Sequence, residues 1–482
     1  MKTLDQIASE LQGYDPQALS ADDVLVFLSK LVTPIDEQLE LPLFDALGRV
    51  LACDVVSPFD VPPHDNSAMD GYAFNGQQLS TNTNTPVIAI TIATPILNPI
   101  LALELKVVGT ALAGKAWQGI VRAGECVKIM TGAVMPQGLD TVVPQEMVTV
   151  HGDLITILDK ALKTGDNRRL RGEDLLQGKP ALLKGEQITP ARLGLLASLG
   201  FKTVLCQRPL RVAYFSTGDE ILSLGEVPRE GAVYDSNRYT VFGMLSRMGC
   251  QMIDMGVVRD DAAALEAAFT QAALQADAII TSGGVSVGEA DFTKATMKKL
   301  GDVAFWRIAM RPGRPMAVGR ILPSNLQENN LNSLVENSMV CYKNNSNSNP
   351  NSNSNPNSNH NSNQNGTILF GLPGNPVAVM VTFLAFVRPA LLKMMGITQS
   401  GPPLLKARCT EAIRKKPGRT EYQRGCVSTA SDGSLEVKTT GNQGSGVLSS
   451  MAQANGLMVL HHAQGNVAPG EEVDVLMFEG VM

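Results

Sequence analysis

From residue 208 to about residue 395 the chain alternates apolar strand runs, glycine-rich turns and helices, and this alternation narrows the choice of fold most. LRVAYF (210–215) reads as a strand and STGDE (216–220) as the turn after it. SNRYTVFGMLSRMG (236–249) has helical periodicity, and QMIDMGVV (251–258) reads as a strand. DDAAALEAAFTQAALQA (260–276) sets acids ahead of an Ala/Leu-rich run, the pattern of a helix start. ADAIITSGGVSVGEADFTKATMKKL (276–300) is strand, turn and helix; a β pair follows over 303–322, and TILFGLPGNPVAVMVTFLAF (367–386) repeats the unit. Strands alternating with helices imply a doubly wound parallel sheet.

The rest of the chain has other textures. Residues 21–32 (ADDVLVFLSKLV) form a short amphipathic helix with Ser20 as N-cap, and 41–52 read as a second helix. SPFDVPPHDNSAMDGYAF (57–74) is a Pro-rich loop running into a strand. Short β-branched runs separated by Gly, Pro and Asn fill about 86–150, a β-rich module. Residues 151–200 are mixed, with the polar stretch NRRLRGEDL (167–175) and a helix over 190–200 that ends at Gly200. The segment 401–482 is β-rich again, with SDGS, GNQGSG and APGEE turns, and fits a small barrel or sandwich.

Composition enters as a set of exclusions. A formal net charge of −6 argues against a general nucleic-acid binder, whose affinity rests on Lys and Arg neutralising phosphates. A local basic pocket for a small anion remains compatible with it. No apolar run approaches the roughly 18 residues of a membrane span, and the N-terminus lacks a signal-like apolar region. Seven scattered cysteines without CxxC spacing, and five histidines without HExxH, point to a reduced cytoplasmic protein with neither a zinc site nor a disulfide framework. One stretch departs from the averages: residues 344–365 hold 12 Asn in NNSNSNPNSNSNPNSNHNSNQN. It cannot build a core, is expected to be disordered, and sits where a loop insertion is tolerated.

Ligands of open α/β sheets bind beyond the carboxyl ends of the strands. Three turns at such ends are unusual: STGDE, SGGVSVG (282–288) and LPGNP (372–376). The second offers backbone N–H groups at a helix N-terminus, which favours a phosphate or other oxyanion, and the third is a tight Gly/Pro turn heading another helix. Glu220, Asp260 and Asp291 lie within or beside these turns or at the neighbouring helix start, although an acid in Asp260's place is as often a helix cap. Carboxylates beside bound phosphate repel it unless a divalent cation lies between them, which suggests a nucleotide or pyrophosphate with Mg2+. FWRIAMRPGRP (305–315) adds Arg307, Arg311 and Arg314 around a Pro-Gly turn, either a solvated tip or an oxyanion clamp.

SAMDGYAF (67–74), KIMTGAVMP (128–136), RRLRGEDL (168–175), FSTGDE (215–220), YDSNRYTV (234–241), TSGGVSVGEADFTK (281–294), FWRIAMRPGRP, GLPGNPV (371–377) and GNQGSG (441–446) resemble, in this order, the motifs of the molybdopterin molybdenumtransferases. That family includes the E domain of gephyrin. The resemblance runs from about residue 20 to the end, the Asn/Ser tract aside. It implies a multidomain α/β plus β protein. Residues 1–60 and 150–207 would form an elongated, discontinuous N-terminal domain and 61–149 a β-rich domain. A molybdopterin-binding α/β domain would cover 208–398, with an insertion over about 328–366, and a C-terminal β-barrel-like domain 399–482. The resemblance further implies a homodimer with an active site shared between subunits. The implied reaction inserts molybdate into adenylylated molybdopterin, and Mg2+-dependent hydrolysis of the adenylyl group releases AMP and molybdenum cofactor. Candidate partners are the molybdopterin adenylyltransferase and cofactor-accepting molybdoenzymes or chaperones.

Carried over position by position, Asp70, Thr131 and Asp174 resemble residues the family needs for activity. Glu220, Asp260 and Asp291 resemble the acids around Mg2+ and the phosphates. Ser216, Thr217 and Gly218, then Gly283, Gly284 and Ser286, then Pro373, Gly374 and Asn375 resemble the pterin-nucleotide cradle. Arg311, Arg314, Arg424 and Ser445 resemble the groups that handle molybdate and the dithiolene. Arg311 and Arg314 replace lysines common in the family, and Ala378 a serine. The α/β domain alone would also suit a molybdopterin adenylyltransferase or nucleotide-hydrolysing relative, and an inactive scaffold is a third reading.

Overall fold

The strand–turn–helix run of the sequence builds a six-stranded sheet: β1 (Arg211–Thr217), β2 (Gln251–Val258), β3 (Ala278–Ser282), β4 (Gly301–Arg307), β5 (Pro315–Ile321) and β6 (Thr367–Leu372). These come from a computed structural model that describes residues 2–81, 103–157, 162–285, 291–322, 366–398 and 401–479. The expected insertion around 344–365 lies outside those residues, as does Ser286. The strand order is β2-β1-β3-β6-β5-β4, with the first four parallel and β5 antiparallel to both β6 and β4.

Both faces of this sheet are covered, which is why its strands read as continuous apolar runs. Side chains alternate between faces. Val212 and Tyr214 of β1 join a core with α1 (Ser236–Arg247) and α4 (Pro376–Thr382). Ala213 and Phe215 join one with α2 (Ala262–Gln275) and α3 (Asp291–Leu300), where the Phe215 and Phe269 rings meet edge to face at 5.1 Å. Helical structure continues from α4 to Met394, and this stretch is long and apolar enough to cross a membrane by length and composition. Arg388 and Pro389 interrupt the run, so the sequence reading missed it; 72% of its most apolar window is packed inside the protein.

The contacts divide the chain into two compact units: Met1–Ala52, Gly185–Leu193 and Lys202–Met482 form one, Cys53–Lys184 and Gly194–Phe201 the other. Besides the α/β sheet, the first unit contains the helix Ala21–Leu31, whose N-cap Ser20 accepts the Asp23 N–H at 3.1 Å as its sequence predicts. The helix expected over 41–52 is replaced by a strand, Gln38–Pro42, paired with Thr203–Gln207, and a four-residue helix, Leu43–Ala46. Pro42 confines helix to the residues after it, and Gly48 at φ +76° turns the chain away.

The C-terminal segment closes a barrel from Leu405–Cys409, Thr420–Thr429, Leu435–Thr439, Gly456–Leu460 and Glu472–Met477. Closure comes from pairing of Thr420–Thr429 with Gly456–Leu460, which removes the free edges of the sheet. Met310–Arg311 pairs in parallel with Thr420 and Glu421, so the arginine-bearing turn before β5 is hydrogen-bonded to the barrel. In the second unit a six-stranded sheet places Ala73, Val127 and Ile129 in one core and Tyr72, Phe74 and Cys126 in another. The small pair Asn66–Ser67 and Arg168–Arg169 brings the SAMDGYAF and RRLRGED segments together.

Candidate active site

Because β1, β3 and β6 are parallel, the three turns that follow them emerge on one edge of the sheet. β5 runs the opposite way, so the Arg311–Arg314 turn that precedes it reaches the same edge. Together with the Gln443–Gly446 loop they enclose a cavity of about 1430 Å³. Thr217, Gly218, Gly283, Gly284, Pro373, Gly374 and Asn375 of the expected cradle line it.

Ser216 is placed differently. It is 1% exposed, and its hydroxyl lies 2.9 Å from the Tyr214 hydroxyl and 3.2 Å from Ser282 Oγ, while Tyr214 and Ser282 are 2.8 Å apart. Strand alternation turns Ser216 into the core while Thr217 faces the cavity. The three hydroxyls tie the ends of β1 and β3 together beneath the ligand space. Burial pushes the Tyr214 phenol well above its usual range, so it stays a neutral donor.

Two glycines are required by geometry. Gly283 has φ +93°, and a Cβ there would lie 2.4 Å from the Thr217 carbonyl oxygen. Gly218, at φ +138°, would meet the Glu220 carboxylate at 2.6 Å, so its missing side chain lets that carboxylate fold back over the turn. The first amides of α4 are not all free: Val377 N–H donates to the Ser445 carbonyl at 3.2 Å, joining the last loop to the LPGNP turn.

The basic side of the cavity consists of Arg311 and Arg314, both exposed, and Arg419. Arg419 was not singled out in the sequence; it is paired at 2.7 Å with the buried carboxylate of Glu421. Arg424, expected from the resemblance among the groups that handle molybdate and the dithiolene, is not among the residues that line the cavity. Fully buried, it donates through Nε to Ser450 Oγ at 2.9 Å and through its other nitrogens to the carbonyls of Gln443, Asn442 and Gly444 at 3.0–3.2 Å. Burial, and then the charge of Arg311, pulls its guanidinium down to about 10, still cationic at neutral pH. Its work is to hold the loop that presents Ser445 to the cavity.

Glu220 and Asp260 both border the cavity. The cap of α2 is Asp261, which accepts the Ala263 and Ala264 N–H groups at 3.1 and 2.9 Å. Asp260 is thereby free of capping and accepts the Thr293 hydroxyl at 3.2 Å. Asp291 opens α3 at this edge; its side chain lies outside the described residues. Asp235 and Asn237, at the start of α1, also line the wall and carried no local signal beyond the YDSNRYTV motif.

Asp70, Thr131 and Asp174 belong to the second unit. There a separate concavity of about 630 Å³ is lined by Thr131, Gly132, Arg169, Glu173 and Asp174. Asp70 Oδ1 accepts both the backbone N–H and the hydroxyl of Thr131 at 2.7 Å, bonds that hold its carboxyl below the usual carboxylate range.

Three families match in succession along the chain. Residues 19–200 match the MoeA N-terminal region (domain I and II), 213–393 a probable molybdopterin binding domain, and 406–478 the MoeA C-terminal region (domain IV). A molybdopterin molybdenumtransferase of Haemophilus influenzae is 38% identical over 93% of this chain and 96% of its own length. One from a Nostoc species is 32% identical over 97% and 95%. The crystal structure of a molybdopterin biosynthesis moeA protein from Pyrococcus horikoshii, 25% identical, covers 96% of this chain and 100% of its own with a TM-score of 0.71. With every motif-bearing segment covered, the chain belongs to the molybdopterin molybdenumtransferase family.

Proposed function

We propose that this protein acts in molybdenum cofactor biosynthesis, inserting molybdate into adenylylated molybdopterin and hydrolysing the adenylyl–phosphate bond to release AMP and molybdenum cofactor. The observation that carries the reading is one cavity at the carboxyl edge that combines glycine-rich turns, a pair of exposed arginines and carboxylates. The glycine turns after β1 and β3 let backbone approach a pyrophosphate. Arg311 and Arg314 supply forked donors for molybdate, with Ser445 beside them. Asp70, Thr131 and Asp174 are assigned to catalysis on the family resemblance.

Mg2+ is the ion this reading needs, and the donor chemistry fits it. Mg2+ binds through one or two carboxylates plus water and substrate phosphates. Glu220 and Asp260 provide two carboxylates on one cavity, and among the described residues no three His, Cys, Asp or Glu side chains form a complete metal cage. Asp291 is the third proposed ligand. A bound Mg2+ supplies charge neutralisation on the phosphoryl oxygens and a more acidic water. The Thr293 hydroxyl donates to Asp260, and on this reading Glu220, whose carboxylate lies against Gly218, would accept a proton from the attacking water.

On the same reading the protein works as a cytoplasmic homodimer and passes its product to cofactor-accepting proteins. An adenylyltransferase built on the α/β domain alone is not favoured, because relatedness extends over both flanking regions. The test is to mix purified protein with adenylylated molybdopterin, molybdate and Mg2+. Release of AMP together with cofactor that activates a molybdenum-free apoenzyme is expected, and no AMP overturns the proposal.

A further inference from the structure

Two acceptor oxygens in the cavity wall have no donor. Asp235, 3% exposed, is the N-cap of α1: its Oδ1 accepts the Arg238 N–H at 3.1 Å, and its Oδ2 is buried without a hydrogen-bond partner. Asn237, 7% exposed, donates from Nδ2 to the Gly374 carbonyl at 2.7 Å and toward Ser282 Oγ at 3.5 Å, while its Oδ1 is unpartnered. These bonds fix which way the amide points, since the flipped form would set its oxygen against the Gly374 carbonyl. Ser282 is in turn held by Tyr214 and Ser216, so Asn237 stands on a braced platform. Both residues line the cavity.

Buried acceptors are rarely left unpaired, and the exceptions ask for an explanation. A helix start would ordinarily attract an anion, but here the Asp235 carboxylate occupies the cap and repels one. The cavity wall is therefore polarised: it carries Arg311 and Arg314 in one part and two residues with unpartnered, covered acceptor oxygens in another.

We propose that Asp235 Oδ2 and Asn237 Oδ1 form an acceptor pair that takes two neighbouring hydrogen-bond donors from the substrate and so sets the orientation of the substrate in the cavity. The inference rests on the reading that this cavity holds adenylylated molybdopterin. Two parts of that molecule offer such a pair: the ring N–H and amino group of the pterin, and the two hydroxyls of the ribose. A site built to hydrogen-bond a donor discriminates strongly against ligands that lack it.

The experiment measures equilibrium binding of inorganic pyrophosphate, AMP and molybdopterin to the wild-type chain, Asp235→Asn and Asp235→Ser. Both variants keep an N-cap oxygen; the first puts an amide donor where Oδ2 stood, and the second removes the group. Asp235→Asn is expected to weaken either AMP or molybdopterin about ten- to hundredfold. Pyrophosphate should bind no more weakly than to wild type. A loss confined to AMP assigns the ribose side, and a loss confined to molybdopterin assigns the pterin. Asp235→Ser should lower affinity for the same ligand by a smaller factor. Unchanged affinity for all three ligands, or an equal loss on all three including pyrophosphate, overturns the acceptor pair. A wild-type protein that binds none of them removes the functional reading, and the inference with it.

Discussion

Asp70 and Thr131, 61 residues apart in sequence, are joined by two hydrogen bonds to one carboxylate oxygen, each 2.7 Å long. The backbone N–H makes the larger contribution to the depressed carboxyl pKa and the hydroxyl the smaller. Thr131→Val should therefore raise the Asp70 pKa part of the way toward the ordinary carboxylate value, as read by NMR titration. A folded-state pKa below the unfolded one gives stability that is present above the unfolded value and lost as pH falls through the folded one. The variant should accordingly show a weaker acid dependence of unfolding, and an unmoved Asp70 titration would contradict the paired bonds.

Asp260 and Asp261 stand side by side with different tasks. Asp261→Ala removes the cap of α2 and should cost about 1 kcal/mol of stability while leaving AMP release within about twofold. Asp260→Ala should leave the melting temperature nearly unchanged and slow AMP release on the order of a hundredfold. Asp291→Ala belongs with Asp260→Ala. Thermal melts and single-turnover kinetics on the three variants separate these outcomes, and a reversed pattern would exchange the two roles.

Arg424→Met should destabilise the barrel and its loop by about 3 kcal/mol, because three carbonyls and the Ser450 hydroxyl lose their buried donor. With the Asn442–Gly446 loop released, the KM for molybdate should rise more than kcat falls. A variant that loses turnover with full stability would place Arg424 in direct contact with substrate.

Tyr214 makes the alkaline side of the stability curve informative. Its phenol pKa is raised by burial and, to a lesser extent, by the charge of Asp235. Such a group contributes stability that is complete below its unfolded pKa, about 10, and is lost as pH rises through the higher folded value. Tyr214→Phe should flatten that alkaline decline and cost about 1 kcal/mol at neutral pH through the lost bonds to Ser216 and Ser282. Chemical denaturation at pH 7 and above pH 10 measures both.

The Asn/Ser tract offers a simpler test. Deleting 344–365 should leave AMP release within about threefold, since loop-closure cost grows only with the logarithm of length. A folded but inactive deletion would show that the tract has a function of its own.

The central sheet could be read from sequence because burial of both faces forces continuous apolar strands separated by glycine turns, and LRVAYF and TILFGL carry that pattern locally. The C-terminal barrel was expected from the family resemblance, whereas the alternating strands alone fit a sandwich equally well, because the closing pair Thr420–Thr429 and Gly456–Leu460 joins strands far apart. The turns and the Arg311–Arg314 pair were visible as motifs. Ser216 and Thr217 are adjacent in sequence, and only the strand's orientation sends one to the core and the other to the cavity. Asp260 and Asp261 pose the same ambiguity at a helix start. Arg419, Asp235 and Asn237 escaped notice because partnership and burial, which give them meaning, exist only in the folded chain.

The parallel pairing of Met310 and Arg311 with Thr420 and Glu421 makes the anion side of the cavity depend on the last module of the chain. The arginine that faces the cavity is held, through its own backbone, by a strand that begins a hundred residues later in a different module. A truncation near residue 400, remote from every cradle turn in the chain, would release this arm. The α/β core expressed alone would thus lose the strand that holds the backbone of Arg311.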